Sequence, residues 1–92
     1  MSASAAALAE LQGVLDTLLG PEGCPWDKEQ TPASLCDYVI EEAHELVEAV
    51  RNGSSADVCG EMGDVLFLVL FLARLYADRG DFTLENALGS SA

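Results

Sequence analysis

A chain of 92 residues makes one domain at most, and a core this small often leans on a partner chain. Half of the residues are apolar, too many for a disordered chain. With 16 acids against 4 bases and a net charge of −12, the bare surface excludes DNA, RNA and anionic membranes as partners, whereas divalent cations suit it.

Leu8, Leu11, Leu15 and Leu18 recur at spacings of three and four, which predicts a first helix over residues 4–19. Gly20-Pro21 ends it, and PEGCPWDKEQ reads as a loop. Thr31 is a good N-cap and Pro32 suits the first position of a second helix, which Asn52-Gly53 terminates. Ser54 or Ser55 caps a third helix that runs through Arg79 and stops at Gly80, and Thr83 caps a short fourth starting at Leu84. No segment alternates with a strand period. The expected fold is all-α, a bundle of about four helices.

The run Val65 to Ala73 is nine residues long, whereas a membrane span needs about 20. The segment from Val65 to Leu72 is apolar around the whole helix and must be covered on every side, so the bundle is expected to be completed by dimerisation. Cys24, Cys36 and Cys59 are odd in number and lack a C-x-x-C spacing. They read as reduced thiols of a cytoplasmic protein, and the N-terminus shows no signal-peptide pattern.

The carboxylates carry the chemistry. In the second helix Leu35, Val39, Leu46 and Ala49 share one stripe at about 100° per residue, and Glu42 falls inside it. Glu45 sits at the edge of the stripe, and Glu41 and Glu48 lie toward the polar side. A charged carboxylate on a core face is costly unless it is paired or bound to a metal. None of Lys28, Arg51, Arg74 and Arg79 lies within one turn of Glu42. In the third helix Glu61 and Asp64 share a face that continues through Leu68, Phe71 and Leu75. Packed antiparallel, Glu42-x-x-Glu45 confronts Glu61-x-x-Asp64. All-oxygen ligation suits Mg²⁺, with Mn²⁺ as a substitute. Gly60 and Gly63, at a cost of about 1 kcal/mol each inside a helix, suggest close approach of a neighbouring backbone or ligand. Glu41-x-x-His44 has a di-iron spacing, but such sites need two pairs, so His44 reads as solvated or as a group behind the ligands.

Together, GCPWDKEQT, EEAHE, EMGDVLF and the Gly-Asp-Phe after the third helix resemble a MazG-type nucleoside triphosphate pyrophosphohydrolase, over roughly residues 8 to 88. The motif halves are Glu41-Glu42-Ala43-His44-Glu45 and Glu61-Met62-Gly63-Asp64. The resemblance implies an all-α bundle working as a dimer or higher oligomer. It implies Mg²⁺-dependent cleavage of an NTP or dNTP to the monophosphate and pyrophosphate, with non-canonical nucleotides as house-cleaning substrates. It implies Glu42, Glu45, Glu61 and Asp64 as magnesium ligands, and Glu41 as the group that orients or deprotonates the attacking water. Trp26 would stack on the base or shape its pocket, unless it caps the core, and Lys28 can reach a phosphate. The chain stops at GSSA, before the basic segment that helps family members hold the triphosphate, so the expectation is a domain truncated at its C-terminal end. The alternative is a non-catalytic, metal-binding dimeric helical module.

Overall fold

The computed structural model describes residues 2–92 as helices and turns, with no strand among them. The helices are α1 (Ala3–Leu18), α2 (Pro25–Lys28), α3 (Pro32–Asn52), α4 (Ser55–Asp78) and α5 (Leu84–Ser90). The all-α expectation holds, with one addition. The stretch read as a loop contains the single turn α2, which begins at Pro25 because proline's fixed φ suits a first helical position.

The chain forms two compact units, 1–30 and 31–92. In the first, Ser2 Oγ accepts the backbone N–H of Ala5 at 3.1 Å and starts α1. Leu15 is buried, and after α1 the Cys24 N–H donates to the Leu18 carbonyl at 3.0 Å, folding the chain back. A Cβ on Gly23 would lie 2.0 Å from that same carbonyl oxygen, so the turn has room for glycine alone.

The second unit is built on α3 and α4, which pack against each other. Reciprocal capping boxes mark the N-terminus of each long helix. Thr31 and Ser34 exchange hydrogen bonds at the start of α3, and Ser54 and Asp57 do so at the start of α4. Only Gly53 and Ser54 separate the helices, so the chain reverses and the pair is antiparallel. Buried Leu35 and Ala49 of α3, with Leu68, Leu70, Phe71 and Ala73 of α4, make the core of this unit. Phe67 meets Phe71 edge to face, with ring centroids 6.1 Å apart.

The end of α4 follows Schellman geometry. Gly80 has φ +77°, its N–H donates to the Ala77 carbonyl, and the Asp81 N–H donates to the Tyr76 carbonyl. Phe82 then stacks on Tyr76 at 4.9 Å, with the Arg79 guanidinium over the same ring and within 3.2 Å of Asp81. This clasp directs the chain into α5, which Thr83 caps through a bond from Asn86 N–H.

A Cβ on Gly60 or Gly63 would meet nothing of this chain within 4 Å, so no other part of the chain itself requires glycine there. The apolar run of α4 is covered only in part. Phe71 is wholly buried, but Leu66 is 53 % and Val69 45 % exposed.

Two substitutions should therefore move stability in opposite directions. Phe71→Ala opens a cavity in the α3–α4 core and should cost about 3–5 kcal/mol. Gly63→Ala adds a methyl in open space within a helix and should raise stability by up to about 1 kcal/mol. Urea-denaturation midpoints followed by circular dichroism would check both.

Candidate metal centre

Because α3 and α4 are antiparallel, the middle of α3 lies beside the first half of α4. Carboxylate oxygens of Glu42, Glu45 and Glu61 lie within 4.8 Å of one another. Glu42 and Glu61 are half-buried, and Glu45 is exposed at the edge. Glu42 Oε2 and Glu61 Oε2 are both shut off from solvent without a hydrogen-bond partner. Such atoms are expensive to leave unsatisfied, because each gave up water and received nothing in return.

The electrostatics reflect that crowding. Burial pushes the Glu42 carboxyl up to about 7, helped by the negative charges of Glu45, Asp64 and Glu61 and by a hydrogen bond with Glu45. Glu61 is raised as well, first by burial and then by the charges of Glu45 and Asp64. Asp64 is exposed and stands outside the tight triad, yet it is near enough to act on both partners. Glu41 is exposed and also outside the triad.

An open groove of about 630 Å³ is bordered by Glu45 and Glu61 of the triad. His44, Glu45, Glu48, Ala49, Asn52, Gly53, Asp57 and Glu61 line it, and it runs along α3 to the α3–α4 turn. His44 is exposed and is not one of the clustered ligands, in keeping with its reading as a solvated group. Sequence reasoning missed Asn52, Gly53 and Asp57 as cleft residues. Their signal was that of a helix stop and a cap, and only the hairpin brings them to the same groove as the glutamates.

Trp26 and Lys28 lie in the first unit, on α2. Trp26 is 46 % exposed, and the Lys28 ammonium donates to the Pro21 carbonyl at 3.2 Å. The three cysteines are free thiols. Among the described residues no helix is long and apolar enough to cross a membrane.

An antiparallel helix pair whose facing sides carry clustered, partly buried carboxylates defines a helical domain with a candidate hard-cation centre. Residues 30–92 match the MazG nucleotide pyrophosphohydrolase domain, and the chain belongs to that family. It is 43 % identical over 79 residues to the nucleoside triphosphate pyrophosphohydrolase/pyrophosphatase MazG of Thermotoga maritima, which covers 86 % of this chain and 31 % of the relative. It is 43 % identical over 74 residues to the nucleoside triphosphate pyrophosphohydrolase of Escherichia coli K12, covering 79 % of this chain and 28 % of that protein. Uncharacterized protein YabN of Bacillus subtilis is also 43 % identical, over 84 % of this chain and 16 % of its own length. The chain thus spans less than a third of the length of these curated relatives.

The raised carboxyls set a pH dependence. Glu42 binds its proton more tightly in the folded chain than in the unfolded one, where its value is 4.5. Its contribution to stability is therefore fully present below about pH 4.5 and is lost as pH rises through about 7. Metal-free protein should lose melting temperature between pH 5 and 8, and Glu42→Gln should flatten much of that loss. Thermal melts across this range in the presence of a chelator would show it.

Proposed function

We propose that this chain is a Mg²⁺-dependent nucleoside triphosphate pyrophosphohydrolase, converting an NTP or dNTP and water to the monophosphate and pyrophosphate. Non-canonical nucleotides are its proposed house-cleaning substrates. The observation that carries the reading is the pair of orphaned, shielded oxygens on Glu42 and Glu61, directed into a carboxylate cluster with no basic partner on its own turn of α3. The names of the relatives from Thermotoga maritima and Escherichia coli support the same activity.

The residues fit the cation. Glu42, Glu45 and Glu61 supply hard oxygen donors, and Asp64, exposed and outside that triad, is proposed as the fourth ligand. Magnesium held there would neutralise phosphate charge, polarise the phosphorus and lower the pKa of a bound water. Mn²⁺ would substitute. The chain's own part is positional. Half-burial of Glu42 and Glu61 keeps water from competing for their oxygens, and the packed hairpin holds the donors in place without reorganisation at the moment of reaction. Glu41, next to Glu42 and exposed, is the group proposed to orient or deprotonate the attacking water. Trp26 and Lys28 are proposed as contacts to the base and to a phosphate. An acidic chain binds a polyanion only through the cation, so turnover should disappear with metal removal.

Pyrophosphate release from a panel of NTPs and dNTPs, with Mg²⁺ or with chelator, tests the reading. Release is expected only with metal, with a monophosphate as co-product, and Glu42→Gln should lower it by at least about 100-fold. A protein that binds Mg²⁺ yet releases no pyrophosphate would instead be a metal-binding helical module.

The same reading includes self-association as a homodimer or higher homo-oligomer. Met62, Leu66 and Val69 recur at helical spacing on α4, and Ile40, Val47 and Val50 on α3, each 44 % exposed or more. Exposed apolar stripes on both helices of the pair call for a covering surface. Leu66→Glu should shift the oligomer toward monomer in sedimentation-velocity experiments.

A further inference from the structure

The α3–α4 connection is built on Asn52-Gly53, the one Asn-Gly in the sequence, which has no Asp-Gly. Asparagine is thermolabile. Its side-chain Cγ lies within reach of the backbone nitrogen of the next residue, and that nitrogen is least hindered when the next residue is glycine, which has no Cβ. Asn52 and Gly53 are both exposed. The turn cannot give up its glycine, because a Cβ on Gly53 would stand 2.9 Å from the Ala49 carbonyl oxygen and from Asp57 Oδ2. Close packing therefore keeps a reactive dipeptide at the point where α3 ends.

Two hydrogen bonds restrain it. The Gly53 N–H donates to the Ala49 carbonyl at 2.8 Å, which occupies the nucleophile. Asn52 Nδ2 donates to Glu48 Oε1 at 2.9 Å, which holds the carboxamide toward the preceding turn of the helix. Asn52 is the last residue of α3, so ring closure also requires its ψ to leave the helical range. Closure waits for the last turn to fray, and helix ends open far more readily than helix middles. Asn86, the other asparagine, differs on each count. Ala87 follows it, and its Oδ1 accepts the Thr83 N–H at 3.0 Å in the cap of α5.

We propose that Asn52 is a deamidation site, that Glu48 slows the reaction, and that conversion loosens the α3–α4 turn. The Gly53 nitrogen gives up its proton and attacks Asn52 Cγ. The Cγ–Nδ2 bond breaks, and Nδ2 leaves as ammonia with that proton. Water then adds to either carbonyl of the cyclic imide, and the ring opens to aspartate or to isoaspartate. Aspartate at this position sets a second carboxylate one turn from Glu48, at a helix C-terminus where negative charge is unfavourable. Isoaspartate adds a backbone atom to a turn that has no room for a methyl group. The turn fixes the level at which Glu42 and Glu45 meet Glu61, so ageing there acts on the carboxylate cluster.

The full chain would be incubated at mildly alkaline pH, folded and in urea, and the peptide carrying residue 52 followed by mass spectrometry. An isoaspartyl methyltransferase would label the isoaspartate. Conversion should occur at Asn52 and not at Asn86, and more slowly in the folded chain than in urea. Glu48→Ala should speed the folded chain about 5-fold, the worth of one exposed hydrogen bond, even though alanine is the better helix former. Glu48→Gln keeps an acceptor and should stay within about 2-fold of wild type. The converted fraction, separated by its extra negative charge, should melt at least about 4 °C below the unconverted protein. A folded chain that stays intact at Asn52 would overturn the site. Equal rates folded and in urea, or a Glu48→Ala rate no faster than wild type, would overturn the part given to Glu48. An unchanged melting temperature would overturn the loosening of the turn.

Discussion

The mutual repulsion of carboxylates across the α3–α4 contact is the constraint to which the rest of the second unit answers. Glu42 and Glu61 occupy positions on the inward side of a helix pair, where an apolar residue would serve stability better, and each keeps an oxygen away from water without a partner. The apolar core around Leu35, Leu68 and Phe71 holds the helices together against that repulsion. Capping boxes at Thr31 and Ser54 fix where each helix begins, and hence the level at which the glutamates meet. The local penalty is of the kind found where a fold is shaped for something other than its own stability.

The short turn couples this cluster to the cleft. Gly53 leaves no room for a Cβ, which would lie 2.9 Å from the Ala49 carbonyl oxygen and from Asp57 Oδ2. The same tightness that reverses the chain puts Asn52 and Asp57 on the wall of the groove that opens on Glu45 and Glu61. Asp57 serves twice. It caps α4, and the Ser54 backbone N–H holds its carboxyl below the ordinary range, so it stays ionised as part of the acidic lining. Charge and shape at the two ends of the cleft therefore follow from one structural element.

Much of the candidate site was legible in the sequence, for reasons specific to helices. The period of the α-helix places Glu42 within the stripe of Leu35, Val39, Leu46 and Ala49, and the absence of a nearby base makes it an anomaly without any coordinates. Glu61 and Asp64 share a face by the same arithmetic. What the period does not reveal is depth. Glu61 is half-buried and joins the triad, whereas Asp64, three residues on, stays exposed and outside it. The glycines at 60 and 63 show the same limit of the period. Their cost within a helix is a property of the sequence, but the space around them is a property of packing, and that space is open.

Helix starts and stops, the all-α class and the acidic motif were determined by the sequence alone, because caps, breakers and hydrophobic period act over a few residues. The turn of α2 was hidden in a run dense in proline and glycine, where local signals for a loop and for a single helical turn coincide. Which carboxylates converge, which oxygens lose their water, and that Asn52 and Asp57 share a groove with the metal-type cluster were decided only by the tertiary structure. Those properties depend on distances between residues far apart in the chain, and they come into being when α3 and α4 close on each other.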